Sequence, residues 1–362
     1  MSSTLEFDAR PTTNPVSEEE RTALLVDPGF GRIFTDHMVT IRYAEGKGWY
    51  DARVEPYGPI SLDPATAALH YGQEIFEGLK VYRHPDGVLG LFRPEQNARR
   101  FNRSAARLAM PHLPEELFLE SIRILVEYDG KWVPSAPETS LYLRPFMFAT
   151  DPYLGVRPAQ EYLYVVIASP VGAYFPRGVQ PVSVWLSTDF TRAAPGGTGE
   201  AKCAGNYAAS LVAQAQAAAQ GCDQVVWLDA IEHKYIEEMG GMNLYFVLDG
   251  NTLVTPELNG SLLPGVTRDS ILALAEGLGL RTEVRRISTD EWRETAADGR
   301  MTEAFACGTA AVITPVGHVK STEGEFTVAD GGSGAVTMKL RGALLDIQHG
   351  RTADTHGWIT RL

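Results

Sequence analysis

The chain has 362 residues, 44% hydrophobic and 21% charged, an ordinary globular balance with length for two domains and a sizeable core. Its formal charge of -13, from 45 acidic against 32 basic side chains, disfavours phosphate backbones and anionic lipid. Nucleic acid and membrane partners are therefore not expected. The three cysteines, Cys203, Cys222 and Cys307, make neither an even set nor a CxxC pair, which argues for a reducing compartment and against a disulfide or zinc framework. No metal site is expected. Met1 to Arg10 carries Glu6 and Asp8 and has no apolar signal core. The uncharged run Cys203 to Cys222 is built of Ala, Gln, Gly, Ser and Asn, which suits a soluble helix better than a membrane span. The expected location is the cytoplasm.

In chain order, residues 1–30 are rich in Pro, Thr and Glu and read as an irregular arm. Alternation over His37–Tyr43 and Trp49–Tyr57 around Gly46-Lys47-Gly48 predicts a hairpin. Leu79–Arg83 and Val88–Phe92 flank Asp86-Gly87, a second hairpin signal. Arg93-Pro94 opens a helix with Ala98, Phe101, Ala105 and Leu108 on one face, and a second helix runs from about Pro114 to Tyr128. Leu141–Phe148 and Tyr162–Ala168 read as buried strands. These make an α+β small domain over 31–168. Residues 169–181, with Pro170, Gly172, Pro176, Gly178 and Pro181, read as an interdomain loop. The larger domain, 182–362, starts with a strand at Val182–Leu186, followed by the helix after Lys202. Strands at Gln224–Leu228 and Leu244–Leu248, a helix at Thr267–Leu278, a strand at Glu283–Ile287 and a helix from about Val336 follow. This part is expected to be a barrel-like sheet with helices around it.

Four stretches carry candidate chemistry. In Pro195-Gly196-Gly197-Thr198-Gly199-Glu200-Ala201-Lys202-Cys203-Ala204-Gly205-Asn206-Tyr207, one lysine sits between a Gly-rich loop and an uncharged helix. Charge-poor, desolvated surroundings favour the neutral amine that Schiff-base chemistry needs. A phosphate-cradling P-loop would require Gly-Lys-Ser/Thr, whereas Lys202 follows Ala201 and precedes Cys203. In Tyr235-Ile236-Glu237-Glu238-Met239-Gly240-Gly241-Met242-Asn243 a carboxylate precedes a Gly-Gly turn, as needed beside a pyridine nitrogen that must stay protonated. Leu262-Leu263-Pro264-Gly265-Val266-Thr267-Arg268 ends a loop and begins a helix, whose first N–H groups suit a phosphate. Ala306-Cys307-Gly308-Thr309-Ala310-Ala311 is a small-residue turn able to offer N–H groups and a hydroxyl to an anion. Taken singly, each reads more readily as a solvated lysine, an exposed acidic turn, a helix cap or a tight turn. Their joint order does not.

That order resembles the branched-chain amino acid aminotransferases, within the fold-type IV pyridoxal-phosphate enzymes (class IV aminotransferases), and most of all their actinobacterial members. The resemblance extends upstream through Tyr71-Gly72-Gln73-Glu74-Ile75-Phe76-Glu77-Gly78-Leu79-Lys80, Phe92-Arg93-Pro94, Leu141-Tyr142-Leu143-Arg144-Pro145 and Gly172-Ala173-Tyr174-Phe175, so it covers the chain from about Phe30. It implies a small α/β domain and a larger barrel-like one, with pyridoxal 5'-phosphate as cofactor. Lys202 would carry the cofactor and act as base and acid of the proton shift. Tyr207 would meet the ring's 3-oxygen and Glu238 the pyridine nitrogen. Arg100, favoured by motif spacing over adjacent Arg99, would grip the phosphate. Val266, Thr267 and Thr309 would add further contacts. Phe30, Tyr71, Phe76 and Tyr174 would wall the substrate site, and Tyr142 and Arg144, two apart on a strand, would face substrate carboxylates together. The backbone N–H groups of Thr309 and Ala310 would hold the α-carboxylate.

The implied reaction is ping-pong transfer from leucine, isoleucine or valine to 2-oxoglutarate, giving glutamate and a 2-oxo acid; run in reverse, it completes biosynthesis. The implied assembly is at least a homodimer whose active site, between the domains, takes a loop from the partner. Two departures stand out. Gly241 lies where many relatives place Ser or Thr, and Ala311 and Thr314 occupy the places of a redox CxxC found in some animal members. Thiol switching of that kind is not expected, and Cys203 and Cys307 read as small buried fillers. The sibling chemistries on this fold, D-amino-acid transamination and aminodeoxychorismate cleavage, are disfavoured by Tyr71–Lys80 and Tyr142-Leu143-Arg144. A noncovalent phosphate-binding protein is the competitor from another class.

Overall fold

A computed structural model describes residues 5–174 and 178–362. Met1–Thr4 of the expected arm and Phe175–Arg177 of the expected interdomain loop lie outside the described residues. Of the described residues, 5–174, 201–204 and 347–362 form one compact unit, and 178–200 and 205–346 a second. Two segments thus fall across the expected division. Residues 201–204 join the first unit because Cys203 bridges Ile75 in antiparallel fashion. Residues 347–362 join it because the C-terminal strand Ile359–Arg361 adds to the edge of its sheet.

The first unit is a sheet covered by helices. Its strands are β1 (Asp8–Ala9), β2 (His37–Ala44), β3 (Gly48–Pro56), β4 (Glu74–Phe76), β5 (Leu79–Arg83), β6 (Leu89–Phe92), β7 (Ser140–Ala149) and β8 (Glu161–Val171). They run in the order β1-β3-β2-β8-β7-β5-β6, then the C-terminal strand, with β4 paired to β7. Both expected hairpins form, and Gly46, Gly48 and Gly87 supply the left-handed backbone their turns require. The expected helices are Pro94–Arg107, with Pro at its first turn, and Glu115–Asp129. They dock through Phe101 and Phe118, which meet Tyr164 of β8 in edge and tilted contacts of 5.6 and 6.2 Å, while the Tyr164 hydroxyl shares a 2.9 Å hydrogen bond with Ser121. Burying each such ring is worth about 1.5–3 kcal/mol.

The N-terminal arm is not wholly irregular. A helix spans Glu18–Leu24, capped by Ser17, whose Oγ accepts the Glu20 N–H at 3.2 Å, with three acidic residues in its first turn. The arm is tied to the sheet at its other end, where β1 pairs with β3.

The second unit is the expected barrel. Its strands are β9 (Val182–Ser187), β10 (Gln224–Leu228), β11 (Ile236–Met239), β12 (Met242–Leu248), β13 (Thr252–Thr255), β14 (Arg281–Val284), β15 (Met301–Gly308), β16 (Val312–Ser321) and β17 (Gly324–Thr327). The order β11-β10-β9-β16-β15-β12 closes on itself because β11 also pairs with β12. Closure removes the open edges these strands would otherwise expose. Helices Val266–Gly277, Thr289–Ala297 and Ala335–Gln348 accompany the sheet, and Trp292 packs edge-on against Phe246 of β12 at 5.1 Å.

Two local expectations shift. The helix after Lys202 is two pieces, Ala204–Ala208 and Leu211–Ala219. The Ser210 hydroxyl competes for the Tyr207 carbonyl at 2.6 Å and interrupts the run. The strand expected at Glu283–Ile287 lies instead at Arg281–Val284, where parallel pairing of Thr252 with Arg281 sets its register. Among the described residues no helix is long and apolar enough to cross a membrane, and no group of three or more His, Cys, Asp or Glu is placed to hold a metal ion.

Candidate active site

Lys202 and its neighbours lie in the first unit. Its backbone is held on both sides: its N–H donates to Ser104 Oγ at 2.9 Å, and its carbonyl accepts the Phe76 N–H at 3.0 Å. The half-buried side chain places Nζ 4.7 Å from the centre of the Phe76 ring. Its surroundings are not as charge-poor as the local sequence implies, because the fully buried Glu77 carboxylate is near enough to feel its charge.

Glu77 also resolves the adjacent arginines. Arg100, 4% exposed, donates Nε to Glu77 Oε1 at 2.7 Å and Nη2 to Oε2 at 2.9 Å, and Asn97 adds a third donor at 2.8 Å. Arg99, on the same helix, points to solvent and pairs with Glu115. Burial pushes the Glu77 carboxyl upward, but Arg100, Lys202 and Asn97 outweigh it and hold the group below its ordinary range. Glu77 belongs to a motif read from the sequence, yet no local signal gave it a role.

Tyr142 and Arg144 share a face of β7 as their spacing requires. Arg144 Nη2 donates to Tyr142 Oη at 3.1 Å, and its guanidinium lies 4.7 Å from the Phe76 ring centre and 5.4 Å from that of Tyr142. Phe30 leans on Tyr142 with ring centres 5.3 Å apart. A cavity of about 160 Å³ opens here, lined by Phe30, Tyr142 and Arg144 together with Phe34, Ile167 and Ser169, which sequence reading passed over. Gly78 makes room for Tyr142, since a Cβ at that position would stand 2.1 Å from its hydroxyl oxygen. Tyr71 and Tyr174 are not among the lining residues and are 43% and 45% exposed. The Tyr71 hydroxyl donates to the Leu154 carbonyl.

Glu238 and its neighbours lie in the second unit. Glu238, on β11, is 1% exposed. Its Oε1 accepts from the Leu263 N–H at 3.0 Å and from Asn243 Nδ2 at 3.1 Å, while its Oε2 pairs with Arg192. The β11–β12 hairpin sets Asn243 opposite Glu238, and β15 sets Cys307 opposite Asn243. The Gly240-Gly241 turn and the Thr309-Ala310 turn therefore lie at the same end of the barrel. Tyr207 approaches this turn: a Cβ at Gly241 would be 3.4 Å from its ring. Gly265, just ahead of Val266 and Thr267, is pressed so near Asn243 that a Cβ there would stand 2.1 Å from Oδ1. Arg192 and Asn243 are the residues sequence reading left without a role; Asn243 was visible in its motif and Arg192 was not. All three cysteines are buried free thiols, and burial drives Cys307 far above the ordinary thiol range.

The sequence profile of the family described as Amino-transferase class IV matches residues 74–319. A branched-chain-amino-acid aminotransferase of Mycolicibacterium smegmatis is 62% identical over 99% of this chain and 98% of its own length. Branched-chain-amino-acid aminotransferase 2 of Bacillus subtilis is 49% identical over 92% of each chain. Among solved structures, the Escherichia coli branched-chain amino acid aminotransferase superposes with TM-score 0.73 at 30% identity, covering 88% of this chain and 98% of that one. The T.th. branched-chain amino acid aminotransferase, solved with pyridoxamine 5'-phosphate, gives TM-score 0.72 at 31% identity, covering 88% of this chain and 97% of that one. The chain belongs to the class IV aminotransferases and, within them, to the branched-chain-amino-acid aminotransferase family. This class works with pyridoxal 5'-phosphate.

Each unit carries donors whose chemistry suits that cofactor, Lys202 and Arg100 in the first and Glu238 in the second. A lysine, a buried arginine and a buried carboxylate are the groups an aldehyde, a phosphate and a pyridine nitrogen require. Among the described residues the helix Val266–Gly277 begins with no side-chain cap hydrogen bond, and the N–H groups of a helix's first turn point outward, where an anion can accept from them.

Proposed function

We propose that this chain transfers the amino group of L-leucine, L-isoleucine or L-valine to 2-oxoglutarate, giving L-glutamate and a 2-oxo acid, by a reversible ping-pong cycle that serves branched-chain amino acid biosynthesis. The observation that carries the substrate choice is Arg144 set between the Phe76 and Tyr142 rings. The aromatic faces suit an aliphatic side chain, and the cation suits glutamate's distal carboxylate, so one place serves both half-reactions.

When bound, the cofactor supplies a ring that draws electrons from the substrate's α-carbon. Lys202 would hold it through its amine and, once the substrate's amino group has displaced it, the freed amine would take the substrate's α-proton and return it two atoms further on. Arg100 grips the phosphate with Val266, Thr267 and Thr309. Glu238 meets the pyridine nitrogen and Tyr207 the 3-oxygen. The Thr309 and Ala310 N–H groups hold the α-carboxylate, while Phe30, Phe76 and Tyr142 exclude water. Glu77 aligns Arg100 through its two hydrogen bonds.

The working form is a cytoplasmic homodimer. What supports the dimer is apolar exposure in one place: Tyr153, Leu154 and Val156 are 47%, 61% and 87% exposed, and Tyr71 bonds to Leu154. Covering this patch with a second copy would give Tyr71 its place in the substrate wall. The test is turnover of the three branched-chain L-amino acids with 2-oxoglutarate, read as glutamate formed. Leucine turnover abolished by Lys202→Ala is expected; turnover of D-alanine without L-leucine would overturn the proposal.

A further inference from the structure

Arg192 carries a charge in a place where burial makes charge costly. It follows β9 in the second unit, and its side chain is 7% exposed. Nη2 donates to the Ser261 carbonyl at 2.7 Å and pairs with Glu238 Oε2, while Nε is buried with no hydrogen-bond partner among the described residues. The Ser261 carbonyl lies close against Gly199, where a Cβ would stand 2.2 Å from it. The arginine is thus fixed against one carboxylate oxygen, and the opposite oxygen accepts from the Leu263 N–H and the Asn243 amide.

A buried carboxylate with only neutral donors takes up a proton more readily than one with a cation against it. The adjacent Glu237 illustrates this balance. Its carboxyl is pushed up by burial, and the Asn259 hydrogen bond and the charge of Arg192 offset that only in part.

We propose that Arg192 is a positioning residue whose charge keeps Glu238 ionised and oriented, so that the cofactor's ring nitrogen, and not Glu238, retains the proton. The inference rests on the reading of Glu238 as the carboxylate beside that nitrogen. Without Arg192 the proton passes from the ring nitrogen to Glu238; the carboxyl becomes neutral, and the ring draws electrons less strongly.

The test uses the full-length holoenzyme loaded with cofactor labelled with nitrogen-15 in the ring, whose resonance separates protonated from unprotonated nitrogen. Wild type is expected to show a protonated ring nitrogen, Arg192→Gln an unprotonated one, and Arg192→Lys a return to the wild-type signal. In parallel, kcat for L-leucine should fall about tenfold or more in Arg192→Gln with KM changed by no more than about threefold, since each unit of altered proton affinity is a tenfold change in protonated fraction. If Arg192→Gln fails to fold, Arg192→Met, which keeps the apolar stem, replaces it. Glu238→Gln separates the two layers of the argument. If it removes the ring proton while loss of the Arg192 charge leaves the resonance unchanged, Arg192 is structural and this inference is overturned. If Glu238→Gln leaves the resonance unchanged, the reading of Glu238 fails and the inference fails with it.

Discussion

Replacing Glu77 by Gln tests whether the Glu77–Arg100 pair governs the first unit's stability as its geometry indicates. Glu77 has no exposed surface and takes both donors of the Arg100 fork plus the Asn97 amide. Gln keeps the shape and one acceptor oxygen but leaves Arg100 as a buried charge without a counter-charge. Breaking a buried pair in this way costs about 3–5 kcal/mol, and the retained acceptor places the loss near the lower end, about 3 kcal/mol. For a unit of this size that is a fall in melting temperature of about 6–12 °C. The pH dependence gives a second, sharper check. The folded carboxyl of Glu77 is held below its ordinary range, so the unfolded chain binds its proton at higher pH than the folded one does. Its stabilisation is complete above the unfolded value of about 4.3 and is lost as pH falls through the lower folded value. The deficit of the Gln variant should therefore be full at neutral pH and shrink below about pH 4. Calorimetry and circular dichroism on the cofactor-free chain from about pH 7 to about pH 3 would read both. A deficit below about 1 kcal/mol, or one unchanged across that range, would refute the reasoning.

Three further outcomes are expected. Gly78→Ala drives a methyl group into the Tyr142 hydroxyl; overpacking of this kind costs about 1–3 kcal/mol, and because the displaced ring lines the Arg144 cavity, KM for L-leucine should rise about fivefold or more. His349, buried edge-on against Tyr82, is held down to about 4 by burial and by the nearby Arg351 and Lys80 charges. It is neutral when folded and protonates more readily when unfolded, so it makes stability rise with pH between about 4 and 6.5, by at most about 1.4 kcal/mol per pH unit; His349→Phe should flatten that limb in a pH series of denaturation curves. Glu303 accepts the Val336 and Thr337 N–H groups and the Thr337 hydroxyl at 2.7–2.9 Å, capping the helix Ala335–Gln348; Glu303→Ala should cost about 1–3 kcal/mol by urea denaturation.

What the sequence disclosed was whatever is encoded locally. The glycines of the Gly46–Gly48 and Asp86-Gly87 turns fix their hairpins, and Arg93-Pro94 starts its helix where the backbone can begin one. Ser17 with Glu20 three residues on has the spacing of a capping box, so the helix in the N-terminal arm was also written there, masked by the surrounding prolines and threonines. Long-range pairing was not legible. Closure of the barrel depends on β9 meeting β16 and β11 meeting β12, and the first of these joins strands far apart in the chain. The same holds for the site. Lys202 and Glu238 stand out because their motifs are contiguous, and the order of those motifs carries the family. Glu77 and Arg192 act on residues remote in sequence, and only the folded registers bring each against its partner.

The central claim is that Lys202 carries the cofactor and that L-leucine releases it by taking that place. Borohydride reduction of the holoenzyme followed by peptide mass spectrometry tests it most directly. The account predicts a phosphopyridoxyl group on Lys202 alone, lost when L-leucine is added before the reductant. A label on another lysine, or one on Lys202 that L-leucine leaves untouched, would contradict it.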